Sequence, residues 1–200
     1  MDPAALGAGA FYSFLTSVVV PRPIAWVSTR SPGGIDNLAP HSFFTVSSVD
    51  PPIVQFTSVG RKDSLINVEQ TREFVVCLAP ERLFEEINAT GTDFPAEVSE
   101  FDAVGIEREP SLRVVPPRVA RSPMALECTL HSTVNFGLGT VVMGRVVHAV
   151  VDEEVIENGR PAIDRLQPLS RLGANEWGNH GQIREISRIA YRDWPGHYKE

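Results

Sequence analysis

Residues 21–67 read PRPIAWVSTRSPGGIDNLAPHSFFTVSSVDPPIVQFTSVGRKDSLIN. Pro21 and Pro23 bar a helix at the start and bias the backbone to extended conformation. Ile24 to Thr29 is rich in β-formers and reads as a strand. Ser31-Pro32-Gly33-Gly34 is a turn signal, so a second strand, roughly Asn37 to Ser48, is expected to return antiparallel to the first. Asp50-Pro51-Pro52 breaks the chain, and Ile53 to Val59 forms a third strand, with Val54, Phe56 and Ser58 on one face. Asp63 or Ser64 can then cap a helix running to about Thr71, with Leu65, Ile66 and Val68 facing inward.

Working outward, residues 1–10 are small and Gly/Ala-rich and read as a loose start, with Phe11, Tyr12, Phe14 and Leu15 as an apolar anchor. Glu73 to Ala79 is a fourth strand, and Glu81 to Thr90 suits a short helix with Leu83, Phe84 and Ile87 on one face. Gly91 to Pro117 is punctuated by four prolines and reads as a surface excursion with one helix near Ser99 to Val104. Ala125 to Phe136 and Thr140 to Val151 are long strands paired through Gly137-Leu138-Gly139. Asn158-Gly159 marks a turn, and Ile183 to Tyr191 is a candidate last strand. The strands come in hairpins, not βαβ units, so a Rossmann sheet is disfavoured. A mainly β, closed antiparallel barrel with a few short helices fits best.

The chain has 200 residues, 42% of them hydrophobic, which suits one folded domain. The net charge of −7 favours neither nucleic acid nor an anionic membrane, so an anionic ligand needs a local basic site. Cys77 and Cys128 lie far apart in apolar runs and form no metal-ligand spacing, as expected of buried free thiols. No signal peptide and no apolar run of about 20 residues is visible, so the expected location is the cytoplasm.

Ser58 to Asn67 holds the clearest chemistry. A strand end feeds Gly60, then Arg61 and Lys62, then a helix start, and a helix N-terminus presents unpaired N–H groups and the positive end of a dipole. Ser58 and Ser64 add hydroxyls, so a phosphate monoester suits this segment. An ordinary capped helix with surface Arg and Lys suits it as well, and Asp63 opposes an anion unless its carboxylate points away. In Ala39-Pro40-His41-Ser42-Phe43-Phe44, small Ala39 and ring-closed Pro40 allow a planar ligand to approach the backbone, and Ser42 offers a hydroxyl. Half-buried strand packing accounts for the same residues, and Trp26 is either a core residue or a neighbour of a ligand ring. His41, His131, His148, His180 and His197 are scattered without HExxH or paired carboxylates, and no GxSxG elbow is present.

In their joint order these segments resemble the flavin reductase-like family, the FMN-binding split barrels that include flavoredoxin and the reductase components of two-component monooxygenases. The matching pieces are PRPIAWVST, the Gly34 to Phe44 stretch with NLAPxSFF, DPP with its following strand, and KDSxxN in Lys62 to Asn67. EFVVCLA, ALECTL, VVMGRVV, NGRP and PLSRLG follow in order, so the match spans roughly residues 12–175 and leaves 176–200 as an extension. The resemblance implies an antiparallel, Greek-key-like split β-barrel, a homodimer, and FMN near the subunit contact. By position it places Ser28 and Thr29 at the end of the first matched strand and Asn37, Ala39, Pro40 and Ser42 along the ring and ribityl chain, and Trp26 is counted with these cofactor contacts as the candidate ring neighbour. It places Ser58, Lys62, Asp63 and Ser64 around the phosphate, with Arg171 approaching the site, and Arg61 joins them as a second positive charge of the same segment. Two departures stand out. Ser64 replaces a common threonine, and Ala174-Asn175-Glu176-Trp177 follows Arg171-Leu172-Gly173 where the family shows another Gly and soon a Tyr.

The activity so implied is NAD(P)H:flavin reduction, with hydride from NADH or NADPH entering at the flavin and a monooxygenase or other protein as electron acceptor. No side-chain acid or base is required, and no catalytic residue is assigned. A flavoredoxin-like electron carrier with tightly bound FMN, and a non-catalytic flavin- or haem-binding module, are the alternatives.

Overall fold

The computed structural model describes residues 2–196. Two helices come first, α1 (Pro3–Leu6) and α2 (Ala8–Val18), followed by β1 (Arg22–Pro23), β2 (Ala25–Arg30), β3 (Asp36–His41), β4 (Phe44–Ser48) and β5 (Ile53–Val59). Helix α3 (Asp63–Thr71) leads to β6 (Glu73–Leu78). The excursion beyond β6 holds α4 (Phe84–Ala89), α5 (Glu100–Val104), β7 (Arg108–Glu109) and β8 (Arg118–Val119). A long hairpin, β9 (Met124–Phe136) and β10 (Gly139–Val151), precedes the small pair β11 (Ile156–Glu157) and β12 (Arg160–Pro161). Helix α6 (Ile163–Leu166), β13 (Ser170–Arg171) and β14 (Trp177–Gly178) follow.

The main sheet has seven strands in the order β3-β2-β6-β9-β10-β5-β4, every pair antiparallel. Its two edge strands are consecutive in the chain, and only Ser42 and Phe43 separate them. So short a link forces the sheet to curl until its edges stand side by side. No ladder joins β3 to β4 among the described residues, so the barrel is split at this seam. One backbone hydrogen bond, from Thr57 N to Phe43 O at 2.9 Å, stitches β5 to the link.

Strands β2 and β6 are covered on both faces, which is why neither shows an apolar–polar alternation. Trp26, Val75 and Cys77 face one cluster with Ile87 and Phe101, beneath the excursion. Val27, Phe74 and Val76 face the other, with Phe56, Leu65, Cys128 and Val142. Each fully buried side chain of this size contributes roughly 1.5–3 kcal/mol relative to exposure. The two cysteines are free and buried, and burial pushes both thiols up to about 12.

The mainly β, antiparallel fold class holds, and β5 and α3 span the expected residues. Several local expectations are corrected. Residues 2–10 do not make a loose start, since α1 and α2 are helical over most of residues 3–18, and none of their residues is buried; Met1 lies outside the described residues. The strand expected over 37–48 is two strands, because β3 pairs with β2 and β4 pairs with β5, on opposite edges. Neither Asp63 nor Ser64 caps α3; Lys62 holds the cap position without a side-chain bond. Phe84 does not face the core with Leu83 and Ile87; it is exposed and packs edge-on against Trp177. Residues 183–190 form no strand; they pair with none of the described sheets, and Tyr191 opens a short 3-10 turn through Asp193.

Candidate functional site

The seam opens into a cleft of about 440 Å³. One wall is β3 and the link, with Asn37, Ala39, Pro40, His41, Ser42 and Phe43. The floor is the end of β5 at Thr57, Ser58 and Val59, running into Arg61, Lys62, Asp63 and Ser64 at the start of α3. The other lip is Thr90 to Phe94, with Glu100 and Tyr12 completing the lining. Gly60 lies at φ 81°, in the left-handed region that glycine enters without a Cβ penalty, and so turns the chain from β5 toward α3.

The helix start is the main anion-attracting feature. Because no side chain caps α3, its first-turn N–H groups are left to other acceptors, and they carry the positive end of the helix dipole. The Lys62 ammonium reaches across to the Asp93 carboxylate on the opposite lip, both side chains being exposed. Arg61 turns outward to Glu69 at 2.7 Å. The Ser58 hydroxyl donates to Gly60 O at 2.9 Å, and Ser64 Oγ donates to Asn37 Oδ1 at 3.0 Å. Both hydroxyls are therefore already engaged within the protein.

Behind the wall runs a polar chain. Asn67 Nδ2 donates to Thr29 Oγ1 at 3.1 Å, Thr29 Oγ1 donates to Asn37 Oδ1 at 3.2 Å, and Asn37 Nδ2 donates to Glu100 Oε1 at 2.7 Å. Glu100 Oε2 also accepts from Leu38 N at 2.9 Å, so this carboxylate fixes both the side chain at 37 and the backbone at 38. Burial raises the Glu100 carboxyl above its ordinary value, against the hydrogen bonds it accepts. Arg108 ties the same excursion to β3 by bridging Asp36, at 2.7 Å, and Asp102. His41 sits on the cleft wall with Nε2 3.2 Å from Ser64 Oγ and its ring 4.6 Å from Phe56. Burial pushes its pKa down from 6.5 to about 4, against a hydrogen bond with the Thr57 backbone, so the imidazole is neutral at pH 7.

Of the residues singled out from the sequence, Asn37, Ala39, Pro40, Ser42, Ser58, Arg61, Lys62, Asp63 and Ser64 line the cleft together. Trp26, Ser28, Thr29 and Arg171 do not. Trp26 is fully buried and reaches the cleft only through its Nε1 donation to Thr90 Oγ1 at 2.9 Å. Ser28 is buried with its Oγ unpartnered, and Thr29 lies in the polar chain behind Asn37. Arg171 lies on β13, stacked 4.6 Å over the Trp177 ring. His197 lies outside the described residues. Sequence reasoning did not single out Tyr12, Thr90, Asp93, Phe94 or Glu100 as site residues, and no local motif marks them, while Phe43 stands inside NLAPxSFF without an assigned role. In the departure after Gly173, Ala174 lies at φ 46°, a left-handed conformation that supplies a physical reason for glycine in that turn.

The sequence profile of the flavin reductase like domain matches residues 17–169. A protein of Deinococcus radiodurans is 37% identical, over 96% of this chain and 91% of its own. Among solved structures, a 2-nitrobenzoate 2-nitroreductase of Pseudomonas fluorescens matches with a TM-score of 0.90 at 31% identity, covering 98% of this chain and 99% of that one. Nitrilotriacetate monooxygenase component B from Bacillus cereus matches with a TM-score of 0.90 at 28% identity, covering 93% and 97%.

Proposed function

The chain belongs to the flavin reductase-like family, and from that premise we propose that it is an FMN-dependent oxidoreductase transferring hydride from NADH or NADPH to flavin. The observation that carries this reading is the uncapped start of α3 at the floor of a half-open cleft, with Lys62 beside it. The residues present suit FMN. First-turn N–H groups and Lys62 would hold the phosphate, since charge-assisted bonds to a dianion are the strong ones. Small Ala39 and flat Pro40 leave room for a planar ring against β3. Asn37, held in one orientation by Glu100 and Thr29, presents a fixed amide to the same space. His41, neutral at pH 7, adds no charge to this wall. When bound, the flavin supplies the redox chemistry, and the protein supplies position and exclusion of water.

A homodimer belongs to the same reading. The apolar residues Tyr12, Leu15, Val18 and Val19 are exposed at 51%, 45%, 54% and 60%, an unusual concentration for a surface helix without buried residues. The likeness to a monooxygenase component supports a separate oxygenase as acceptor of reduced flavin. The purified protein is expected to show a flavin absorbance spectrum after addition of FMN, and steady NADH or NADPH oxidation with FMN in excess. Tightly held flavin without turnover would turn the reading to an electron carrier. Absence of flavin binding would overturn it.

A further inference from the structure

The small sheet β1-β13-β14 sets three side chains in one row. Arg22 on β1 is the direct cross-strand partner of Arg171 on β13, and Arg171 is the direct partner of Trp177 on β14. Directly opposed residues lie about 4.5–5.5 Å apart at Cβ, and like charges so placed repel. Among the described residues neither guanidinium meets a carboxylate. Arg22 is buried at 8% exposure, and its Nε has no partner. Its remaining nitrogens donate to backbone carbonyls, Nη1 to Val19 O at 2.9 Å and to Thr16 O, and Nη2 to Leu172 O at 2.8 Å. Burial, and then the Arg171 charge, pulls Arg22 below its ordinary value. Arg171 is half-buried and spends only Nη2, on Ala174 O at 2.9 Å, so most of its donors are free.

The Arg22 end of this like-charged pair adjoins the cleft, with Arg171 one strand further out and outside the lining itself. The Arg22 guanidinium carbon stands 5.9 Å over the Phe43 ring, and Phe43 meets the Tyr12 ring at 6.3 Å; both rings line the cleft. Resting on the flavin reading above, we propose that Arg171, backed by the field of Arg22, is a second anion subsite that receives the pyrophosphate of the nicotinamide dinucleotide, leaving the helix start of α3 to the FMN phosphate. The two sites divide the labour. One anion site holds the flavin, and the other orients the charged part of the donor so that its nicotinamide reaches the ring. Trp177, stacked on Arg171, keeps the guanidinium plane in place and offers a face to the adenine side of the dinucleotide.

The test uses the full-length protein loaded with FMN and two substitutions at the accessible member, Arg171→Gln and Arg171→Lys, since Arg22 also anchors the end of α2. The donors compared are NADH and 1-benzyl-1,4-dihydronicotinamide, which carries no phosphate. Arg171→Gln is expected to raise KM for NADH about ten- to a hundredfold with kcat nearly unchanged, as loss of one charge-assisted contact requires, and to leave the uncharged donor unaffected. Arg171→Lys recovers part of the loss. Independently of turnover, calorimetric binding of ADP-ribose weakens by the same factor in Arg171→Gln. Equal losses for both donors, or unchanged ADP-ribose binding, overturn the proposal. Loss of benzoate binding with ADP-ribose unchanged also overturns it, in favour of a carboxylate site. If the unsubstituted protein oxidises neither donor, the flavin reductase reading fails, and ADP-ribose binding alone decides for or against the subsite.

Discussion

Lys62 illustrates how a residue's setting changes its chemistry. It was placed at the phosphate from sequence, and the structure shows it engaged with Asp93 across the cleft mouth. An exposed pair of this kind contributes only about 0–1 kcal/mol, so a phosphate dianion can displace Asp93. Lys62→Ala is expected to weaken FMN binding roughly ten- to a hundredfold and to leave riboflavin, which lacks the phosphate, nearly unchanged. Asp93→Asn should tighten FMN slightly by removing the competitor. Fluorescence titration of both flavins decides it, and equal effects on both would show that the phosphate is held elsewhere. His41 gives a pH signature. Its folded pKa, about 4, lies below the ordinary 6.5, so the unfolded chain takes up a proton first as pH falls. Its contribution to stability is complete above pH 6.5 and is lost toward pH 4. Urea midpoints measured across that interval should fall less steeply in His41→Phe than in the parent protein.

At the scale of elements, the strands were readable where their neighbours did not alter them. β5 and α3 follow from local pattern, a run of β-formers and a 3.6-residue periodicity; β5 came out to the residue, and α3 with its start one or two residues earlier than either expected cap allowed. Residues 37–48 read as one strand because nothing local reveals that their two halves pair on opposite edges. The Gly in VVMGRVV also has a tertiary cause. A Cβ on Gly144 would stand 2.1 Å from Phe74 Cζ and 3.1 Å from Cys128 Cβ, at a register shift between β9 and β10. Gly144→Ala is therefore expected to cost about 1–3 kcal/mol, measured by chemical denaturation. Trimming the obstacle in Gly144→Ala/Phe74→Leu should lessen the added cost of the alanine. An alanine tolerated without loss would mean that the ring does not press on this strand.

For the whole molecule, the exposed apolar surface of α2 is the feature that a monomer leaves unexplained. Its residues touch the body mainly through Tyr12 on Phe43 and through the Arg22 bonds to its C-terminal carbonyls. A second copy covering this surface would bury it beside the cleft that Tyr12 lines. Sedimentation is expected to show a dimer for the parent protein and a monomer for Leu15→Glu/Val19→Glu. A parent protein that stays monomeric at high concentration with FMN bound would remove the dimer from the proposal. Because Tyr12 lies on the same helix, the monomeric variant should also bind flavin more weakly.

The family resemblance, with the basic segment before α3, supplied nine of the residues that line the cleft, whereas composition, turn signals and periodicity were enough for the antiparallel β class and for the placement of α3 after β5. Those features depend on neighbours within a few positions, where turn chemistry and side-chain period act directly. The closure of the sheet at Ser42 and Phe43 was decided elsewhere, because it rests on ladders between strands far apart in the chain. So was the meeting of Tyr12, Asp93 and Glu100 in one cleft, and the alignment of Arg22, Arg171 and Trp177 on three short strands. Ile183 to Tyr191 shows the converse. Its residues favour a strand, but a strand needs a partner, and the segment docks on no sheet edge among the described residues.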